Sequence, residues 1–184
     1  MVLNNAPQMY TIYFSSDFFY ESVCKKWGPM IERMRLPYQD VTDFMNAQIQ
    51  SIIFPSISLE TAQQQREQYP IAYSGGKELE ALFNRDFTIT FKLTESYISY
   101  WIIWDQILQY LHYGENNNGN TERIWMPSFH LGFLNDAGYQ LMDFTFKELV
   151  PTSLSELNLS YAATIASYNT FSFGLKYNYF DVSA

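Results

Sequence analysis

The stretch DFTITFKL, residues 86–93, alternates without a fault. Phe87, Ile89, Phe91 and Leu93 fall on one side, and Thr88, Thr90 and Lys92 on the other. Strand side chains switch faces at every residue, so this pattern specifies a half-buried β-strand. SYNTFSFGLKYNYF, residues 167–180, repeats the pattern. It reads as one long last strand with Phe171, Phe173, Leu175, Tyr177 and Tyr179 on one face and Ser172, Gly174, Lys176 and Asn178 on the other. RIWMPSFHLGFLN (123–135) and YQLMDFTFKELV (139–150) read as two more strands, joined through the hairpin signal Asn135-Asp136-Ala137-Gly138. MYTIYF (9–14) and IQSIIFPSISL (49–59) are shorter β-like runs, the second interrupted by Pro55 in the manner of an edge or a strand end.

Helical spacing appears in three places. From Ser15 or Ser16 as a cap, Phe19, Val23, Trp27, Met30, Ile31 and Met34 follow a helical period, and Gly28-Pro29 is expected to break or kink that helix. Asp40 caps a short helix through Val41, Phe44 and Met45. Thr94 caps a longer one ending at Gly114, with a broad apolar stripe of Tyr97, Tyr100, Trp101, Trp104, Ile107, Leu108 and Leu111. The spacing predicts that this stripe packs on a sheet, with Trp104 fully buried. Residues 60–80 are polar, with a glutamine run, Pro70 and Gly75-Gly76, and read as a long loop in which Tyr69 and Tyr73 point to a contact. In PTSLSELNLSY, residues 151–161, Pro151 ends the preceding strand in a turn that still carries Leu154, Leu157, Leu159 and Tyr161.

The fold class that follows is mainly β, of the α+β kind. Two packed antiparallel sheets form a sandwich or barrel with one flanking helix, plus a helical N-terminal extension. Residues 1–48 form that strand-and-helix extension, and residues 49–184 the β-sandwich domain.

Composition narrows the function. Only 16% of the 184 residues are charged, against roughly 25% in an ordinary globular chain, while 18% are aromatic. So many rings imply surface tyrosines or a large interface. A net charge of −8 and the lack of a basic patch argue against gripping nucleic acid phosphates. The single cysteine, Cys24, allows no intramolecular disulfide. MVLNNAPQMY lacks the charged and apolar regions of a signal peptide, and YISYWIIWDQILQYL is too short to span a bilayer and carries Asp105, so no membrane insertion is expected.

Chemistry-bearing patterns are sparse. His112 and His130 have no zinc-like spacing, and Cys24 reads as a small core residue. GENNNGN is followed by no Lys-Ser or Lys-Thr, so it is no phosphate loop. Asp86 and Asp143 could pair as acid and base only if the fold brought them together. The expectation is a chain that is not an enzyme, with no catalytic residue, cofactor or metal.

The order FTITFKL, aromatic helix, IWMPSFHLGFLNDAGYQLMDFTFKELVPTSLSELNLSY, NTFSFGLKYNYF resembles the tail tube proteins of contractile-tailed bacteriophages. The resemblance rests on Pro151, Ser155, Glu156, Leu157, Thr170, Phe171 and Phe173, and it covers roughly the last hundred residues; 15–48 departs from the short members of that family. It implies a structural virion protein whose six copies close into a ring, with rings stacking into a hollow tube through which DNA passes without specific binding. The implied partners are further copies of the chain and baseplate, sheath or other tail proteins. The implied location is the virion tail, after assembly in the host cytoplasm. An acidic lumen would let DNA slide. Candidate subunit-interface residues are Gln65, Tyr69, Tyr73, Tyr177, Tyr179 and Phe180. A baseplate or tube-initiating protein of the same fold, and an unrelated soluble binding module, are the alternatives.

Overall fold

In the computed structural model the alternating stretch is strand β5, Asp86–Lys92, at the centre of one sheet. The structure describes residues 10–34, 37–53, 61–66, 69–74, 85–115, 125–135, 137–157 and 169–183, with the backbone alone for 61–66, 69–74, 95 and 113–115. Phe87, Ile89 and Phe91 are buried, and β9 (Thr170–Lys176) sets Leu175, Phe173 and Phe171 opposite them. Edge strands β2 (Ile49–Ile53) and β8 (Val150–Leu154) complete this second sheet, in the order β2-β5-β9-β8. The first sheet runs β1 (Tyr10–Phe14), β6 (Phe129–Leu134), β7 (Gln140–Lys147) and β10 (Tyr179–Ser183).

Both sheets are antiparallel, and their apolar faces meet. Phe87 of the second sheet lies 5.5 Å from Phe129 and 5.2 Å from Phe146 of the first, ring centre to ring centre, and Phe14 stacks 6.1 Å from Phe91. Ring pairs at these separations add roughly 0.5–1.5 kcal/mol each beyond their burial. The architecture is a sandwich, not a closed barrel.

The two sheets share one long ribbon. Lys147 faces Tyr179 in the first sheet and Val150 faces Lys176 in the second, so two residues of each strand make the corner and the register continues through it. Glu148 turns at a positive φ of 55° and Leu149 is fully buried behind it. The Asn178 side-chain amide donates to Glu148 Oε2 at 3.0 Å, and Asn178 N–H donates to the Lys147 carbonyl. The long last strand read from sequence is therefore two strands in different sheets. Tyr177 ends the buried row, Tyr179 points outward and Phe180 returns inward. Pro151 likewise sits inside an edge strand and does not begin a turn, as proline can where its missing donor would face outward.

Helix α1 spans Glu21–Arg33, starting later than the serine cap predicts, and buries Val23, Trp27 and Ile31. It runs through Gly28-Pro29 unbroken. Pro29 is on the exposed side, where the carbonyl that loses its donor faces solvent. Helix α2, Val41–Gln48, is capped as expected by Asp40, whose side chain accepts from Asp43 N–H at 2.7 Å. Helix α3, Ile98–Glu115, follows a tight turn in which Ser96 and Tyr97 take left-handed φ values of 58° and 57°.

The predicted face of α3 is corrected. Ile98, Ser99, Tyr100, Ile102, Ile103 and Gln106 are buried, while Trp101, Trp104, Leu108 and Leu111 stand out, Trp104 at 43% exposure. Gln106 explains the orientation. Its amide donates to the Phe18 carbonyl at 2.8 Å and its oxygen accepts from Tyr20 N–H at 3.0 Å, pinning the segment between β1 and α1. The stretch read as a loop at 60–80 contains a hairpin, β3 (Thr61–Arg66) with β4 (Tyr69–Ser74).

Candidate assembly surfaces

Open sheet edges are the first feature of the exterior. Strand β1 has the sequence YTIYF, with no charge and no proline, and pairs with β6 over five residues without a bulge. Ser15 N–H donates to the Ser128 carbonyl, whereas Phe14 N–H donates to Asn46 Oδ1 at 2.8 Å. Antiparallel pairing alternates, so the N–H and C=O groups of Tyr10 and Ile12 also point away from β6, towards a side where no described strand pairs. The other edge of this sheet, β10, pairs with β7 over five residues, again without a bulge. Asp181 on β10 is tied to Lys147, whose ammonium also sits 5.8 Å from the Tyr179 ring centre.

The edges of the second sheet are different. β2 carries a register shift between Ile49 and Ser51, and β8 carries Pro151 and a shift between Pro151 and Ser153. Prolines and bulges prevent edge-to-edge pairing. Gly174 allows β8 this irregular approach. A β-carbon there would collide with the Ser153 hydroxyl and lie 2.8 Å from Thr152 Oγ1.

A groove of about 370 Å³ lies between α3 and this blunted edge, lined by Trp104, Ile107, Leu108, Tyr110, Leu111 and residues 151–154. Sequence reasoning missed it, because it assigned the same helix residues to the core.

The outer face of the first sheet carries a polar network. The His130 ring stacks on Tyr13 with centres 4.8 Å apart. Its Nε2 is 3.2 Å from Ser128 Oγ and its Nδ1 3.3 Å from Asp143 Oδ2, and Thr145 Oγ1 donates to the same carboxylate oxygen at 3.1 Å. Burial, and then the Asp143 charge, raise the Tyr13 phenol above its ordinary value. The order serine, histidine, aspartate is that of a hydrolase triad. Here, however, Tyr13 covers the imidazole and Thr145 shares the carboxylate, which is the arrangement of a clamp holding β1, β6 and β7 together. Asp86 is on β5 in the other sheet. Cys24 is half-buried, and its thiol is raised mainly by burial and then by Asp40, which disfavours the nucleophilic thiolate. Among the described residues no group of three or more His, Cys, Asp or Glu side chains could hold a metal, and no helix is long and apolar enough to cross a membrane.

The sequence-predicted interface residues are scattered. Tyr177 is in the core, 5.1 Å from Phe146 and 6.0 Å from Phe87, with its phenol raised by burial. Phe180 is half-buried against Phe146 and Tyr179 is exposed. Gln65, Tyr69 and Tyr73 lie on the β3–β4 hairpin, where Gln65 faces Pro70, Arg66 faces Tyr69 and Ala62 faces Tyr73; their side chains lie outside the described residues.

The fold is shared with a chain of one solved baseplate. A chain in the baseplate of the anti-feeding prophage (AFP), solved with six-fold symmetry, superposes with a TM-score of 0.55 at 11% identity, over 100% of this chain and 97% of that one. A chain in the sheath/tube terminator of the extracellular contractile injection system PVC, in the extended state, gives 0.47 at 14% identity over 74% and 85%. A chain in the AFP tube-terminating cap gives 0.46 at 13% identity over 73% and 79%. Of these three, the baseplate chain alone superposes well enough to place the fold. No family model matches the sequence, and no curated protein does.

Proposed function

We propose that this chain is a structural, non-catalytic subunit that closes into a ring through the open edges of its first sheet. The observation that carries this reading is the contrast between plain edges at β1 and β10 and blunted edges at β2 and β8. Successive strands of the first sheet alternate in direction, so β10 runs opposite to β1. A neighbour related by rotation would then add β10 beside β1 as another antiparallel pair, continuing the sheet. Such a head-to-tail contact closes when the rotation closes. Six copies are the expected number, as in the symmetry of the AFP baseplate structure. Tyr179 and Phe180 flank the junction, and Gln65, Tyr69 and Tyr73 reach a neighbour from the β3–β4 hairpin.

In this reading rings stack as part of a tail tube, DNA passes through the acidic lumen without being held, and the neighbours are sheath and baseplate proteins of a virion tail assembled in the host cytoplasm. The full-length likeness to a baseplate chain, N-terminal helices included, favours a second reading in which the ring starts the tube at the baseplate. Negative-stain microscopy of the purified chain over a range of concentrations tests the shared core of both. Rings of about six subunits are expected. A chain that stays monomeric at every concentration, with or without a co-expressed tail partner, overturns it.

A further inference from the structure

We propose that the ring junction has a single register, with Ile12 opposite Phe180 and Tyr10 opposite Val182 of the next copy, and that Asn46 sets it. The register rests on ring closure through β1 and β10. In an antiparallel pair the N–H and C=O of one residue point to the same side, and successive residues alternate. The hydrogen bond from Ser15 N–H to the Ser128 carbonyl fixes the phase of the first sheet. By the register that follows, the backbone groups of His130 and Gly132 also point to β1, and those of Phe129 and Leu131 point to β7. Phe146 and Phe144 lie opposite these two, which turns the groups of Thr145 and Asp143 to β10. Asp181 and Ser183 pair with Thr145 and Asp143. The backbone groups of Phe180 and Val182 are thus directed outward, as are those of Tyr10 and Ile12 at the opposite edge.

Asn46 removes the next position along β1. Phe14 has the same phase as Tyr10 and Ile12, but its N–H donates to Asn46 Oδ1 at 2.8 Å, from helix α2. That side chain stands where the carbonyl of a neighbouring strand would go. An incoming β10 therefore meets two outward residues and offers two of its own. Among the described residues one antiparallel alignment pairs all four, and unpaired backbone groups are costly once covered. A two-residue slip one way leaves Ile12 and Val182 unpaired. A slip the other way sets Phe180 against Phe14, whose N–H is already taken. A one-residue slip opposes groups that point outward to groups that point inward. The side chains agree with the backbone. Tyr10 and Val182, 38% and 49% exposed, lie on the core side of the sheet and cover one another in this alignment. On the outer side Thr11 comes opposite Asp181, whose charge is already balanced by Lys147 of its own copy.

Two cysteine pairs in a Cys24→Ser background read the register. Thr11→Cys meets Asp181→Cys in the proposed alignment, and meets Ser183→Cys only after a slip towards Phe14. Two residues are about 7 Å along a strand, enough to take a pair out of disulfide range. Mild oxidation of assembled protein is expected to give a ladder of multimers on non-reducing gels with the Asp181→Cys pair and none with the Ser183→Cys pair. Rings that ladder through the Ser183→Cys pair alone overturn the register and leave ring closure standing. Rings that ladder through neither pair overturn it and move the junction off these edges. A wild-type chain that forms no assemblies overturns both readings. Asn46→Ala frees Phe14 and should transfer the ladder to the Ser183→Cys pair, whereas Asn46→Asp, which keeps an acceptor, should hold the original one. A register that does not move in folded Asn46→Ala protein shows that Asn46 does not set it. Hydrogen exchange needs no variant: the Phe14 amide should be slow in the free subunit, and the Ile12 amide should slow on assembly. A Phe14 amide that is fast until rings form counts against the stop.

Discussion

The first sheet and the second differ at their edges more than at their centres. Both bury rows of phenylalanine, and both have five-residue strands on their outer sides. Yet β1 and β10 run straight and unshifted, while β2 and β8 are each interrupted. An edge with free backbone groups is a hazard unless something covers it. The second sheet meets that hazard with irregularity. Among the described residues the first leaves it open, which is what a sheet built for continuation requires.

Perturbing the shared centre should erase the contrast altogether. Phe173 is fully buried, and Phe173→Asp would place an unpaired carboxylate among rings, at a cost of several kcal/mol. Insoluble expression is expected; a soluble variant with a native melting curve would show that the two sheets do not share a core. Gly174→Ala acts on the blunted edge alone. Pushing β8 off the sheet should cost about 1–3 kcal/mol, typical of overpacking, and lower Tm by roughly 2–12 °C in a domain of this size. If Tm does not move, β8 is not held as tightly as its contacts with Gly174 require.

Trp104→Ala should cost about 1–2 kcal/mol, well short of the roughly 3–5 kcal/mol of a buried tryptophan, because nearly half of the side chain already meets solvent. A loss in the larger range would place the tryptophan in the core after all. Tyr10→Pro tests the plain edge without unfolding it, since a proline at the first residue of a strand removes only an outward donor. One hydrogen bond per junction is lost, about 0.5–1.5 kcal/mol, so ring assembly should need roughly 2- to 13-fold more protein while the monomer melts as before. Sedimentation against concentration measures this, and an unchanged assembly threshold removes β1 from the junction. The smallest effect belongs to Lys176→Glu, which sets a like charge opposite Asp86 on a wet face and should cost under about 1 kcal/mol in thermal melts.

These outcomes depend on features of uneven legibility. β5 and the β6–β7 hairpin were readable because one buried face and one wet face impose a period of two, and Asn135 to Gly138 supply the turn. Asp40 was readable as a cap. The ribbon corner was not, because Tyr177, Tyr179 and Phe180 are all aromatic and hide the change of phase at Asn178. The face of α3 was hidden for a related reason. A helix apolar on nearly every side gives no preferred direction, and the residues that do mark its buried side, Ser99 and Gln106, are polar. Of the residues at the proposed junction, Tyr179 and Phe180 were named from sequence. The pairing of β1 with β6 and the recess beside β8 were not, since each depends on residues more than thirty positions apart meeting.

That long separation has a consequence for synthesis. Tyr10 cannot find Phe133 until the chain has grown past the β6–β7 hairpin. At the usual pace of translation, about 5–20 residues per second, the N-terminal strand waits on the order of ten seconds without its partner. During that wait the uncharged YTIYF segment is exposed to nascent chains on neighbouring ribosomes. Asn46 is made much earlier than β6 and already offers Phe14 a hydrogen bond. Asn46 is thus synthesised in time to give the strand one partner before its sheet exists.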